Sequence, residues 1–264
     1  MNEPIPAATL ILLRDMPGGA PPQIPMIGRG AHLTFAANRM VFPGGQIDDD
    51  DRLLARRTDL LVEGAELDEE EIAHRIAAIR ETIEEIGLAP GIERLENTAQ
   101  LADIRAALHS GEPLSLILER HYLRLDPHII HPFARWLPSF AMKRRFDTRF
   151  YIARSPELGE AVADGTESTH ITWGSAADHL ASGKMIFPTI RNLERIGLAA
   201  DFDSALALAR RYPIDMVTPW IEHRDGEDWM CIQSHLGYPI VCDRLAKAER
   251  DTGPINSSTT LTPG

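Results

Sequence analysis

The sequence predicts an α/β protein, because short apolar segments that end at turn residues alternate with longer segments of helical periodicity. Residues 8–14 read ATLILLR and are followed by DMPGG at 15–19, which is typical of a strand and a turn. Residues 69–86 contain neither Pro nor Gly and carry a regular isoleucine stripe, which predicts a long helix. Residues 146–153, FDTRFYIA, alternate as a strand does.

The other elements follow from similar patterns. Residues 24–29 are predicted to form a hairpin with the first strand, and 39–42 a third strand that stops at 43–45, PGG. Residues 47–71 are polar and predict a loop with a short helix, whereas the prolines within 127–138 predict an irregular connection. Helices are also predicted over 99–124 (with a break near 111–113), 175–182, 189–196 and 204–211, and strands over 170–173, 217–222, 229–233 and 239–242.

The composition is that of a globular protein that can bury a sizeable core. The chain has 264 residues, and we expect one domain over 1–249, with an insertion at about 50–70, and a disordered tail over 250–264.

A formal net charge of −12 argues against nucleic-acid binding, which needs clustered Lys and Arg. No apolar run approaches the ~18 residues of a membrane span, and the N-terminus lacks the layout of a signal peptide.

The cysteine content bears on the cellular compartment. Cys231 and Cys242 are too few for a disulfide framework and lack zinc-ligand spacing. We expect two reduced thiols in a cytoplasmic protein, although one bridge is compatible with the count. The sequence leaves the oligomeric state open, a homodimer included.

Three glutamates crowd the end of the predicted long helix, in AIRETIEEIGL at residues 78–88. Glu81, Glu84 and Glu85 stand at i, i+3 and i+4 and therefore share one helix face. Like charges so placed repel, and carboxylates near a helix C-terminus oppose the macrodipole, so local stability does not explain them. Two interpretations follow: a solvated acidic face, or a site for a divalent cation.

The same residues resemble the signature of the Nudix hydrolases, G-x5-E-x7-R-E-U-x-E-E-x-G-U, in which U is a bulky aliphatic residue. Residues 80–88, RETIEEIGL, match its second half, except that Thr82 stands where an aliphatic residue is usual. Residues 42–45, FPGG, match the lead-in, with Gly45 as the first glycine of the motif. The resemblance implies an α/β/α sandwich around a mixed β-sheet, with helical insertions.

The first half of this motif is interrupted. The family has 14 steps from its first glycine to its arginine, whereas 35 separate Gly45 from Arg80, which is an insertion of 21 residues. Ile72 occupies the position where the family has its first glutamate, eight residues before the arginine. That glutamate is therefore either absent or replaced, and the candidates are Asp51, Glu70 and Glu71.

The interruption resembles the acyl-coenzyme A diphosphatase branch of the family. Residues 28–51 are similar to that branch before and through the motif, and so are 136–138, WLP, and 144–150, RRFDTRF. This resemblance spans roughly residues 5–200 and implies hydrolysis of coenzyme A or acyl-coenzyme A to 3′,5′-ADP and (acyl-)phosphopantetheine. The motif leaves ADP-ribose, NADH and dinucleoside polyphosphates as alternative substrates, and a non-catalytic nucleotide-sensing domain as the alternative outside the enzymes.

The resemblance also implies a metal centre. Mg²⁺ or Mn²⁺ would be the cofactor and Glu81, Glu84 and Glu85 its ligands, which agrees with the preference of hard cations for carboxylate oxygens. Glu81 would in addition orient or deprotonate the attacking water. Arg80 would brace a glutamate, since a guanidinium fork fixes the orientation of a carboxylate.

Further site residues are expected on loops. Gly44 and Gly45 are expected to make a tight turn that brings the backbone close to the metal and the phosphates. Glu167, six residues before a tryptophan, is expected to be a further metal ligand or base. Arg39 and Arg145 are the expected substrate-binding cations, since coenzyme A carries a diphosphate and a 3′-phosphate.

Overall fold

The computed structural model describes the chain at residues 3–30, 39–139, 144–166, 168–183 and 185–245. The predicted site residue Glu167 and the predicted tail over 250–264 lie outside these residues. None of the described helices combines the length and the apolar character that crossing a membrane requires.

Helices and strands alternate along the described chain. The helices are α1 (Asp49–Leu54), α2 (Glu69–Ile86), α3 (Thr98–His109), α4 (Leu114–His121), α5 (Ala176–Ser182), α6 (Phe187–Ile196) and α7 (Phe202–Arg211). The strands are β1 (Ile5–Leu13), β2 (Ile24–Arg29), β3 (Met40–Val41), β4 (Gly44–Gln46), β5 (Ile92–Glu93), β6 (Arg124–Leu125), β7 (His131–Trp136), β8 (Phe146–Arg154), β9 (Ser168–Gly174), β10 (Met216–Val217), β11 (Trp220–Arg224), β12 (Glu227–Cys231) and β13 (Cys242–Arg244).

A mixed five-stranded sheet in the order β10-β7-β8-β1-β4 lies at the centre of the fold. β1 runs parallel to β8 and antiparallel to β4, so that Ala8 lies opposite Arg149 on one side and Gly45 on the other. Three smaller sheets complete the set: β3-β2-β9, β11-β12-β13 and β5-β6. The α/β class predicted from the sequence is confirmed.

Helices cover both faces of the central sheet, as the α/β/α arrangement requires. Successive side chains of β1 point to opposite faces. Ala8, Leu10 and Leu12 pack with α2, whereas Ile11 and Leu13 pack with residues of α6 and α7. Two separate apolar cores result, one on each face of the sheet.

Helix α2 begins and ends where the sequence predicts. The Asp68 carboxylate accepts a hydrogen bond from the Glu71 N–H at 2.7 Å and so caps the first turn. Gly87 ends the helix with a φ of 70°, the left-handed conformation that glycine adopts without strain. The helix is anchored on the sheet by its buried isoleucines, Ile76, Ile79, Ile83 and Ile86.

The insertion inside the motif is folded onto the rest of the domain. Its first part forms α1, where the Asp50 carboxylate accepts hydrogen bonds from the Ser115 N–H and hydroxyl at 3.1 and 2.5 Å. Leu60 and Leu61 are buried, and Leu61 bridges Leu125 of β6. The insertion therefore packs against α4 and β6.

The predicted hairpin between the first two strands is reduced to a single bridge. β2 is joined to β1 only through the antiparallel Arg14–Gln23 bridge that precedes it, and it otherwise pairs with β3 and β9, because its apolar residues complete a second small sheet. The third predicted strand does end before 43–45, because β3 stops at Val41, and the chain then forms β4 as a separate strand of the central sheet. Gly44 and Gly45 pair there with Thr9 and Ala8 of β1.

The prediction of an irregular connection over 127–138 is wrong, because this segment contains β7, an internal strand of the central sheet. Pro132 has no N–H to donate and therefore favours an interruption of the ladder. The β7–β8 register shifts between Pro132 and Ala134, a β-bulge that accommodates the proline. The strand could not be predicted from the sequence, because the bulge interrupts the alternation of buried and exposed residues.

Cys231 and Cys242 form a disulfide, and the expectation of two reduced thiols is wrong. They are directly opposed in the antiparallel β12–β13 pair, with their Cα atoms 4.1 Å apart. Strand register brings them together, which residue spacing does not reveal. The disulfide removes the argument from thiols for a cytoplasmic location, which stays a prediction.

Candidate active site

The last two turns of α2 meet β4 through contacts that require glycine. A Cβ atom on Gly45 would lie 2.3 Å from Oε1 of Glu81, and one on Gly44 would lie 2.4 Å from the Ala8 carbonyl oxygen. The Gly44 N–H donates to Oε2 of Glu85 at 2.9 Å. The two glycines thus allow a strand to contact β1 and the carboxylates at once, in place of the tight turn that was predicted.

Arg80 connects the carboxylates of this region. Its Nη1 donates to Oε1 of Glu81 at 2.9 Å and to Oε1 of Glu84 at 3.0 Å. Its Nε and Nη2 donate to the two carboxylate oxygens of Asp51 at 3.1 and 3.0 Å, and Nη2 also reaches the Gln46 carbonyl. Burial lowers the pKa of Arg80, but its hydrogen bonds to Asp51 and the charge of Glu81 outweigh this effect, so the pKa is raised and the guanidinium stays charged.

Of the three candidates for the motif's first glutamate, Asp51 is the one that contacts Arg80. It is fully buried on α1, it holds Arg80 with both oxygens, and it accepts the Asp48 N–H at 2.8 Å. Burial raises the pKa of the Asp51 carboxyl against the opposing effect of Arg80. Glu70 and Glu71, the other candidates, pair with other arginines. Asp51 is the candidate obtained by counting forward from Gly45, and its replacement of the motif's first glutamate stays a prediction.

Glu81 has an unusual environment for a carboxylate. Burial raises its pKa to about 7, Arg80 opposes that shift, and the charge of Glu84 adds to it. Negative charge is therefore concentrated where little water can screen it. A divalent cation at these carboxylates would relieve this unfavourable charge.

The donor set fits a hard divalent cation by its chemistry, since every candidate ligand is a carboxylate. Among the described residues, no three His, Cys, Asp or Glu side chains converge as a complete metal shell would require. Glu81 and Glu84 direct one oxygen each to Arg80, and Glu85 accepts from Gly44. The three ligand assignments therefore stay predictions.

Helix α3 supports the end of α2, which the sequence analysis did not foresee. Arg105 donates from Nε to the Glu84 carbonyl at 2.9 Å and from Nη2 to the Glu85 and Val162 carbonyls at 3.1 and 2.7 Å. The His109 ring lies 2.9 Å from the Glu84 carbonyl. A cation at these last carbonyls offsets the cost of carboxylates at a helix C-terminus.

A cavity of about 530 Å³ lies beside the carboxylates on the face of the central sheet opposite α2's core. Its floor crosses four strands: Gly44, Gly45 and Gln46 of β4, Ala7 and Thr9 of β1, Phe146, Thr148 and Phe150 of β8, and Trp136 of β7. Ile186, Pro188 and Thr189, at the start of α6, also line the cavity. Acidic and aromatic side chains therefore line the same cavity, a combination typical of a ligand site.

The predicted site residues divide into two groups. Those that line the cavity are Gly44, Gly45, Glu81 and Glu85, and those that do not are Arg80, Glu84, Arg39 and Arg145. Arginines on the cavity wall are instead Arg29 and Arg144. Nη1 of Arg29 lies 3.6 Å from Oε1 of Glu85. Substrate binding by Arg39 and Arg145 stays a prediction.

Comparison with known proteins gives similar solved structures. A Nudix hydrolase from Alicyclobacillus acidocaldarius is 28% identical with a TM-score of 0.67, and the match covers 78% of this chain and 97% of that one. An Ap4A hydrolase from C. elegans is 13% identical with a TM-score of 0.36, covering 78% and 96%. The NUDIX domain of Shewanella oneidensis NrtR, complexed with ADP ribose, is 13% identical with a TM-score of 0.35, covering 69% and 79%. No family model and no curated protein matches the chain.

Proposed function

We propose that this chain, a Nudix-type hydrolase acting on diphosphate bonds, cleaves coenzyme A or acyl-coenzyme A in the presence of Mg²⁺ or Mn²⁺. The products would be 3′,5′-ADP and (acyl-)phosphopantetheine. The observation that carries the proposal is one cavity that is lined both by Glu81 and Glu85 and by the aromatic residues Phe42, Trp136, Phe146 and Phe150. A diphosphate and its attached nucleoside need these two kinds of surface side by side.

The chemistry follows from the residues at the acidic end. A bound Mg²⁺ or Mn²⁺ would shield the phosphate charge and lower the pKa of a water molecule. Glu81, Glu84 and Glu85 are the proposed ligands, and Glu81 would orient or deprotonate the attacking water. Arg80 keeps Glu81 and Glu84 in a fixed orientation and is itself held by Asp51, so this pair acts by positioning the ligands.

Glu85 is held by the backbone of β4. It accepts the Gly44 N–H at 2.9 Å, which leaves its other oxygen, Oε1, near the Arg29 guanidinium. Arg29 lines the cavity and is therefore placed to neutralise a phosphate oxygen. The aromatic residues Phe42, Trp136 and Phe146 supply apolar surface for the nucleoside.

A substrate panel tests the proposal. Coenzyme A, acetyl-coenzyme A, ADP-ribose, NADH and diadenosine tetraphosphate are incubated with Mg²⁺ or Mn²⁺, and the products are identified by mass. We expect 3′,5′-ADP from the two coenzyme A compounds. Cleavage of ADP-ribose with the coenzyme A compounds left intact would show that the substrate assignment is wrong. Nucleotide binding without cleavage of any compound would favour the sensor alternative.

A further inference from the structure

We infer that the Cys231–Cys242 disulfide is a site of reversible thiol–disulfide exchange with a dithiol, and that its redox state is transmitted to the cavity. The disulfide joins β12 and β13 in the small sheet β11-β12-β13 and lies outside the carboxylate motif. The inference depends on the exposure of the two cysteines, on an arginine beside both sulfur atoms, and on the contacts of the chain between the cysteines.

The two cysteines differ in their access to solvent. Cys231 is fully buried, whereas Cys242 is partly exposed. An incoming thiolate attacks the sulfur that it can reach, so it forms a bond with Sγ of Cys242 and breaks the bond to Sγ of Cys231. Cys231 is therefore the leaving thiolate, and it is released inside the protein.

Arg224 of β11 supplies the positive charge that this leaving thiolate needs. Its Nη2 donates to Sγ of Cys231 at 3.7 Å and to Sγ of Cys242 at 3.5 Å. Its Nε and Nη2 also donate to the two carboxylate oxygens of Glu222 at 2.8 Å each, which fixes the guanidinium on this part of the sheet. A neighbouring cation lowers the pKa of a thiol, and a thiol of lower pKa leaves faster. Arg224 is therefore placed to accelerate the exchange.

The exchange transfers two electrons from the dithiol to the disulfide. One thiolate of the dithiol bonds to Sγ of Cys242, and the electron pair of the S–S bond passes to Sγ of Cys231, which takes up a proton. The second thiolate of the dithiol then attacks the dithiol sulfur in this mixed disulfide and releases Cys242, which is protonated in turn. The dithiol becomes a disulfide. Oxidised glutathione reverses the reaction and is reduced to two molecules of glutathione.

The disulfide closes the segment of residues 232–241 at its base. The Ile232 N–H donates to the Val241 carbonyl at 2.8 Å, directly inside the disulfide. Leu236 and Tyr238 of this segment are buried in the apolar core that also contains Trp136. Reduction removes the covalent closure, so the segment can open locally while the rest of the chain stays folded.

Tyr238 connects this segment to the cavity. Its hydroxyl accepts a hydrogen bond from Nε1 of Trp136 at 2.9 Å and donates to Oδ1 of Asn192 at 3.1 Å. Arg191 donates from Nη1 to the Ile240 carbonyl at 3.2 Å. Trp136 lines the cavity, and Arg191 and Asn192 belong to α6, whose first turn also lines it. The closed segment therefore supports the cavity lining, and its opening reaches the cavity through Trp136.

The first experiment measures the exchange without a substrate. The folded protein is incubated with dithiothreitol and quenched with iodoacetamide, and alkylation is followed by mass in wild type, Arg224→Gln and the control Arg244→Gln. Arg244 lies 5.8 Å from the Trp229 ring centroid and Arg224 lies 6.0 Å from it, and Arg244 pairs with Glu227. We expect reduction that oxidised glutathione reverses, with a rate about tenfold lower in Arg224→Gln alone.

Resistance of the folded disulfide to dithiothreitol, or equal rates in the three proteins, would overturn the inference. Glutathione identifies the attacked sulfur, because a monothiol stays bound to it in the mixed disulfide. We expect peptide masses to place glutathione on Cys242, and glutathione on Cys231 would contradict the order of attack.

The second experiment measures transmission to the cavity, and it alone rests on the proposed function. Wild type is compared with Cys231→Ser/Cys242→Ser in the hydrolysis of acetyl-coenzyme A and ADP-ribose, neither of which has a free thiol that would reduce the disulfide. We expect KM to rise about fivefold in the double variant while kcat stays within about twofold, because Arg80 and Gly44 still hold the carboxylates. Dithiothreitol should raise the KM of the wild type only. An unchanged KM would overturn the transmission.

Hydrogen exchange separates a failure of this inference from a failure of the proposed hydrolysis. Amide exchange is measured by mass over 232–241, 131–136 and 187–196 in the oxidised and the reduced protein. We expect faster exchange in all three segments after reduction, whether or not either compound is cleaved. Faster exchange confined to 232–241, or no change, would contradict the link to the cavity.

Discussion

Helices α2 and α6 lie on opposite faces of one sheet, and each buries an arginine in a different way. Arg80 of α2 donates to three carboxylates and one carbonyl. Arg195 of α6 donates from Nη1 to the Phe133 carbonyl at 2.7 Å, and its guanidinium carbon lies 4.4 and 5.4 Å from the ring centroids of Phe133 and Tyr238. Its Nε and Nη2 have no hydrogen-bond partner among the described residues, and burial lowers its pKa.

This difference indicates that Arg80 positions other side chains, whereas Arg195 contributes to packing. The attraction within a buried ion pair often does not exceed the free-energy cost of removing its charges from water. Hydrophobic residues would therefore stabilise the fold as well as the Arg80 cluster does. The cluster is instead suited to holding carboxylates in a fixed orientation beside a cavity. Arg195 is surrounded by aromatic rings and holds no carboxylate, so its contribution is to the core.

The largest expected effect contrasts glutamates on the two helices. Glu85→Gln and Glu84→Gln should each lower kcat by roughly 10³-fold, equivalent to about 4 kcal/mol, because a neutral amide is a poor ligand for a divalent cation. Glu194→Gln on α6 should keep nearly full activity, since Glu194 pairs with Arg191 on the other face. Turnover is measured at saturating Mg²⁺, with circular dichroism as the folding control. Near-normal turnover in both α2 variants would contradict the ligand assignment.

The second contrast concerns the arginines themselves. Arg80→Met should reduce the free energy of unfolding by about 3–5 kcal/mol, because it leaves Asp51 buried without its partner. Arg195→Met should cost less than about 2 kcal/mol, since no buried carboxylate loses its counter-charge. Urea unfolding of both variants measures the difference. Equal losses would mean that the two buried cations play the same role.

The third contrast uses two glycines. Gly45→Ala should lower kcat by about 10²-fold, because the new Cβ would displace the Glu81 carboxylate by about an ångström or more. Gly197→Ala after α6 should leave turnover intact, since its helical φ suits alanine and its nearest contact would be 3.1 Å, with the Leu193 carbonyl. Steady-state kinetics of both variants decides the matter, and similar kcat values would contradict the steric argument.

The smallest expected effect is on pH dependence. Burial lowers the pKa of His74 on α2 and of His131 on β7, so protonation favours the unfolded state. Their contribution to stability is complete above the unfolded pKa of about 6.5 and is lost as the pH falls through their folded pKa values. His74→Gln and His131→Gln should each flatten the decline in unfolding free energy as the pH falls below about 6.5. An unchanged slope in both variants would contradict this.

Much of α2 could be predicted because its determinants are local. Asp68, Gly87 and the isoleucine stripe act within one or two helical turns, and the spacing of Glu81, Glu84 and Glu85 places them on one face in any helix. The resemblance to the Nudix motif rests on the same short segment. The strand β7 escaped prediction because a proline and a bulge interrupt its alternation.

The sequence by itself determined the acidic face of α2, its caps and the glycines beside it, because these depend on neighbours within a few residues. Only the tertiary structure decided which acid supports Arg80, since Asp51 lies 29 residues away across the insertion. It also decided that Thr189 shares a cavity with Glu85, although more than a hundred residues separate them. Such contacts depend on strand order and register, which bring together side chains that no local periodicity relates.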